Sequence, residues 1–168
     1  QKTNLAAFGG VAFPISLAIE GPIIMLLAAS TALCKDMISF LKVRKFMLAA
    51  AGGLTAFHIL IAFTPIYYWV AESVLGVPAD VVEPGRVGLQ ILTPWTAAIA
   101  YRRFLQGVLI RFGQSRMVMY GTAVRLITLL AALNIAATFG ELSGIAVGTI
   151  AISSGVIAEA IFARWAVS

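Results

Sequence analysis

Six side chains in this sequence are ionisable although their neighbours are apolar: Glu20, His58, Arg102, Arg103, Arg125 and Glu159. An ionisable group within a membrane span costs about 2.5–3.5 kcal/mol on insertion scales, so such groups turn to a protein interior or a wet cavity. Two chemistries suit them. Arginine forks grip phosphates and carboxylates through paired N–H donors. A carboxylate beside a broken helix takes up a proton or a cation, helped by freed carbonyls. Other chemistries are missing their residues. There is one His, no GxSxG, no HExxH and no Gly-rich phosphate loop, which argues against a hydrolase or an ATP-driven pump. No acid and base are spaced for general acid–base work, so the chain is not expected to be an enzyme. The single cysteine, Cys34, excludes a disulfide framework and a cysteine-based metal site; neither metal nor organic cofactor is expected.

Each ionisable residue has a bland reading beside the functional one. Glu20 stands in Ala18-Ile19-Glu20-Gly21-Pro22. Pro22 has no N–H to donate to the Ala18 carbonyl, so a kink is expected here, with a second weak point at Pro14. The carboxylate then serves either as a proton or cation site or as a hydrogen-bonded packing group. His58 shares a small, polar stripe with Ala51, Thr55, Ala62 and Pro65. A lone membrane histidine more often bonds a neighbouring helix than couples ions. Arg102 lies nine residues before Arg111, about 13 Å of helix, and hence near the middle of a hydrocarbon layer roughly 30 Å thick. Arg102 and Arg103 point about 100° apart, so only one of them is expected to face a cavity. Arg125 shares a face with Gly121, Thr128 and Ala132, while Glu159 continues the series Gly144, Gly148, Ala151, Gly155. Both faces suit close helix seams, and Arg125 and Glu159 either pair with each other or serve a ligand.

The elements that hold these residues follow from composition. Of the 168 residues 61% are apolar and 11% charged, with a mean hydropathy of +0.98. Soluble domains average about 45–50% apolar and about 25% charged, so the surplus must face lipid. Five runs approach the roughly 20 apolar residues a crossing needs: about 5–33, 46–70, 87–110, 118–139 and 144–166. They are too long for strands and do not alternate, which gives an all-α polytopic bundle in a single transmembrane domain, 1–168. Basic connections at Cys34–Lys45 and Arg111–Met117 alternate with an acidic one at Glu72–Arg86 and a last one, Gly140–Ser143, holding Glu141. By the positive-inside rule the basic pair is cytoplasmic, the N-terminus external and the C-terminus internal. Seven of the twelve Lys/Arg then lie inside, two outside (Lys2, Arg86) and three within spans, so the net charge of +5 sets topology and no nucleic-acid partner is needed. Tyr67, Tyr68 and Trp69 read as an aromatic belt at the outer interface. A start at Gln1 with an odd number of spans points to a piece of a longer protein.

The stretch Arg102-Arg103-Phe104-Leu105-Gln106-Gly107-Val108-Leu109 followed by Gly113-Gln114-Ser115-Arg116 resembles the multidrug and toxic-compound extrusion (MATE) and lipid flippase superfamily. Phe8-Gly9-Gly10, Glu20-Gly21-Pro22, Ala123-Val124-Arg125-Leu126-Ile127 and the Gly144, Gly148, Gly155, Glu159 series are similar to its progressive ankylosis branch, including bacterial members. The resemblance covers nearly the whole chain but rests on short patterns. It implies two six-helix halves that rock in alternating access, with this chain as helices two to six of one half, the N-terminal by its Glu-Gly-Pro segment. It also implies the plasma membrane (the inner membrane in bacteria), a second half as partner, and H+ or Na+ as coupling ion.

Three functions follow as expectations. In the first, a secondary transporter moves an anionic or phosphate-bearing molecule, with Arg102, Arg103 and Arg125 towards the substrate and Glu20, Glu159 or His58 coupling ions or pairing charges. In the second, an H+- or Na+-coupled exporter of cationic drugs depends on Glu20 or Glu159. In the third, a non-transporting assembly subunit uses its charges only to pair helices.

Overall fold

The computed structural model describes residues 2–139 and 142–168; the expected start at Gln1 and the loop residue Glu141 lie outside the described residues. All regular elements among the described residues are helical. They are α1 (Lys2–Ala7), α2 (Phe13–Glu20), α3 (Met25–Leu33), α4 (Met37–Phe63), α5 (Ile66–Tyr68), α6 (Ala79–Ile91), α7 (Thr93–Arg111), α8 (Ser115–Phe139) and α9 (Gly144–Val167). Four stretches are long and apolar enough to cross a membrane: Lys2–Leu33, Met37–Phe63, Ser115–Ala136 and Gly144–Val167. Their outer faces carry large apolar side chains, among them Met25, Phe46, Ile127 and Ile161. Contiguous apolar surface on this scale belongs against lipid, as in an integral membrane protein.

The first span is built from pieces, and the prolines explain the breaks. Pro14 has no N–H for the Gly10 carbonyl, and the turn before it widens into a π-helix, Phe8–Ala12, whose last bond runs from Phe13 N–H to Phe8 O. Past Glu20 the helix tightens into a 3₁₀ turn, Gly21–Ile24, around Pro22. The discontinuity falls at the segment where the sequence predicts a kink.

Elsewhere helix extends into regions read as loop. The basic connection shrinks to Cys34–Asp36, because Asp36 caps α4: its carboxylate accepts from Ser39 N–H at 2.8 Å while the Ser39 hydroxyl receives the Asp36 N–H. Lys42, Arg44 and Lys45 therefore ride on the first turns of α4. Most of the acidic connection is also helical. Glu72 lies in a π-helix, Trp69–Val74, and Glu83 to Arg86 lie in α6. The expected single run 87–110 is divided between α6 and α7 at Leu92, where Pro94 opens the next helix. With Arg102, Arg103 and Arg111 along it, α7 is not among the four apolar spans.

The charged helix is the central one. α7 packs against α3, α4, α8 and α9 and buries residues on every side, including Thr96, Arg102, Phe104 and Gln106. Its crossing with α3 depends on Gly107: a Cβ there would collide with the Ser30 hydroxyl and the Leu27 carbonyl. The contact is close enough for Thr31 Oγ1 to donate to Gly107 O at 3.2 Å.

Candidate functional site

The buried polar side chains gather around α7 in two groups. The first centres on Glu159 of α9, which is 1% exposed. Its Oε2 accepts from Arg102 Nη1 at 3.0 Å and lies 3.7 Å from Arg125 Nε, and its Oε1 accepts from Gln106 Nε2 at 3.0 Å. Both oxygens are thus engaged, by side chains from α7 and α8. Arg102 and Gln106 stand one turn apart on α7 and present neighbouring donors, as i and i+4 residues do. Small residues admit the partners. Gly121 of α8 faces Glu159 Cγ, and a Cβ on Gly155 would stand 3.0 Å from the Arg125 carbonyl oxygen. Only this end of the α9 glycine series serves the α8 seam; Gly144 faces Asn4 and Gly148 faces open space.

The second group centres on Glu20, 3% exposed, whose Oε1 has no hydrogen-bond partner. The Arg102 and Arg103 guanidiniums and the Thr96 hydroxyl are its near neighbours on α7. Thr96 is shared with fully buried His58: Nδ1 lies 2.8 Å from Thr96 Oγ1, and Nε2 lies 2.9 Å from Leu89 O. A carbonyl only accepts, so Nε2 carries the hydrogen, and in neutral imidazole Nδ1 then accepts from Thr96 O–H. The Thr96 hydroxyl thus joins fully buried His58 to the neighbourhood of Glu20.

Arg102 is buried and Arg103 half-buried, in line with their angular separation, and the Nε of each is buried without an acceptor. The Ser16 and Ser153 hydroxyls are likewise buried and unpaired. Orphaned donors in an interior call for a partner, whether water, ion or substrate. Among the described residues no three His, Cys, Asp or Glu side chains come together.

Two positions differ from their sequence reading. Tyr67 is no belt residue: it is fully buried, and its hydroxyl donates to Val82 O at 2.6 Å across a space left by Gly85. Tyr68 meets Glu83 and Arg86 through its hydroxyl, and Trp69 alone of the three is largely exposed. Arg86, read as a loop base, covers the end of α4 by donating to Ala62 O and Phe63 O. Thr96 and Gln106 were not singled out by sequence. Their signal was spacing, since Gln106 follows Arg102 by four residues and Arg103 follows Thr96 by seven.

Comparison with known protein families, with curated proteins and with solved structures gives no match.

Proposed function

We propose that this chain is one half, the N-terminal one, of a MATE-like secondary active transporter in the plasma membrane, working by alternating access on an anionic or phosphate-bearing small molecule. A second half faces it, the N-terminus lies outside and the C-terminus in the cytoplasm, as the positive-inside rule directs. The observation that carries the reading is the pair of buried guanidinium Nε donors on Arg102 and Arg103 without acceptors. They lie in a polar core of three arginines against two glutamates. Glu159 occupies one edge of Arg102 and approaches Arg125, leaving the remaining donors for an acidic ligand.

The test is transport by the full-length protein in vesicles, with labelled citrate and pyrophosphate beside a cationic dye. Arg103→Gln is expected to lower anion flux about tenfold, the equivalent of about 1.4 kcal/mol of lost interaction. Unchanged anion flux with both Arg102 and Arg125 replaced discards the anion.

The Glu20–Thr96–His58 chain favours a second reading, an H+-coupled exporter of cationic compounds. Dye flux abolished by Glu20→Gln and untouched by Arg103→Gln selects it.

A further inference from the structure

A cleft of about 740 Å³ opens at the end of the bundle where α3, α7 and α9 finish and α4 begins. Its volume falls within the range of about 300–1,000 Å³ usual for ligand sites. The polar cluster around Glu159 and Glu20 takes no part in its lining. Phe40, Tyr101 and Phe112 supply aromatic wall, and fully buried Phe104 backs Phe40 with ring centroids 5.3 Å apart. Lys35, Arg44 and Arg164 ring the same cleft.

The charge on that ring is uncompensated. Both ion pairs among the described residues belong to Glu159, so no carboxylate holds Lys35, Arg44 or Arg164. The one acid on the wall, Asp36, is already engaged by the Ser39 N–H and hydroxyl at 2.8 and 2.9 Å. Three cations against one committed carboxylate, above an aromatic and aliphatic floor, complement a molecule with an anionic head and an apolar body. A basic pocket between membrane helices on the cytoplasmic side binds acidic lipid headgroups for this reason.

We propose that this cleft holds an anionic phospholipid of the cytoplasmic leaflet. Its phosphate lies among Lys35, Arg44 and Arg164, and its glycerol and upper acyl chains lie on Phe40, Tyr101 and Phe112. The site rests on the membrane-spanning arrangement and is independent of whether the protein transports. Fixing the ends of four helices at once, a bound lipid ties the bundle together where the polar core contributes nothing.

Native mass spectrometry of the full chain released from detergent, with phosphatidylglycerol or phosphatidylcholine added, tests the site. Phosphatidylglycerol is expected to be retained at least about tenfold better, and Arg44→Gln and Arg164→Gln each to lower its retention about fivefold, the worth of one cation near an anionic headgroup. Both residues are exposed, so the variants keep the fold. Arg111→Gln and Arg116→Gln remove the same charge at the same end without touching the cleft, and are expected to change retention less than about twofold. Equal retention of the two lipids overturns the proposal. So does an equal loss in all four variants, which would mean diffuse surface charge, or competition by inorganic phosphate at the lipid's own concentration, which would mean a free-anion site. Concentration-dependent dimers that exclude lipid would assign the cleft to a second copy and likewise overturn it.

Discussion

Glu159 and Glu20 are the same side chain at nearly the same burial, 1% and 3% exposed, yet the bundle treats them differently. Glu159 sits on an unbroken helix and has both oxygens engaged by Arg102, Gln106 and Arg125. Glu20 ends a helix broken at Gly21-Pro22 and keeps an oxygen with no partner. A buried carboxylate whose bonds are complete fixes a geometry. One whose bonds are incomplete has somewhere to accept a proton, a cation or a turned hydroxyl. The difference separates a structural charge from a candidate working one more sharply than burial or residue type does.

The largest expected effect comes from emptying the complete site. Glu159→Ala leaves Arg102 buried without its counter-charge, and breaking a buried pair from one side costs about 3–5 kcal/mol. The outer partner matters less. The Arg125 side chain is 35% exposed and 3.7 Å away, so Arg125→Gln is expected to cost under about 1 kcal/mol. Cys34 provides the readout: it is the single cysteine and fully buried, so its alkylation during heating reports unfolding. Equal losses for the two variants would erase the distinction between an inner and an outer partner.

The central helix that meets both carboxylates can be pried from α3 without touching a charge. Gly107→Ala drives a methyl into Ser30 and Leu27 where α3 crosses α7, and overpacking of this kind costs about 1–3 kcal/mol. It is expected to speed Cys34 alkylation, since Cys34 follows directly on α3. A smaller loss than for Arg125→Gln would mean that helix ends, not this crossing, hold α3.

These contrasts were partly legible in the sequence. Hydropathy gave the helical membrane class, and Pro22 marked the break beside Glu20, because a missing N–H acts locally. The pairing of Arg125 with Glu159 was among the readings, since both lie on small-residue faces. Arg102 as the nearer partner was not, because a face shows what a helix can offer and not which neighbour meets it. The basic and acidic connections were overdrawn for a related reason. Charged residues end a hydrophobic run, but they do not end a helix, and α4 and α6 continue through them. Tyr67 was misplaced because an aromatic at a span's end looks the same whether it meets lipid or the Val82 carbonyl.

Glu20→Gln probes the incomplete site and is expected to shift stability by less than about 1 kcal/mol in either direction. Both ion pairs among the described residues belong to Glu159, so none is broken at Glu20, and the amide keeps the shape of the carboxyl. Under the transport reading the same change removes proton coupling, so flux no longer follows an imposed pH gradient. A loss as large as that of Glu159→Ala would place Glu20 among the structural charges and end the contrast.

Asp36 supplies the smallest effect and the reference for both. It is a third carboxylate with its bonds made, but in water, outside the spans. The Ser39 backbone N–H, and then its hydroxyl, hold its carboxyl below the usual carboxylate range. A lowered folded pKa means that the unfolded chain binds the proton first. The contribution is therefore full above about pH 4, the ordinary aspartate value, and fades as the pH falls through the folded one. Asp36→Ala is expected to advance unfolding only slightly at pH 7, and the gap to the parent should narrow as the pH falls from about 4 through the lowered folded value. Water replaces each lost bond at Asp36, whereas at Glu159 nothing does. If Asp36→Ala proved as costly as Glu159→Ala, the bonds themselves, and not their burial, would set the value of a completed carboxylate.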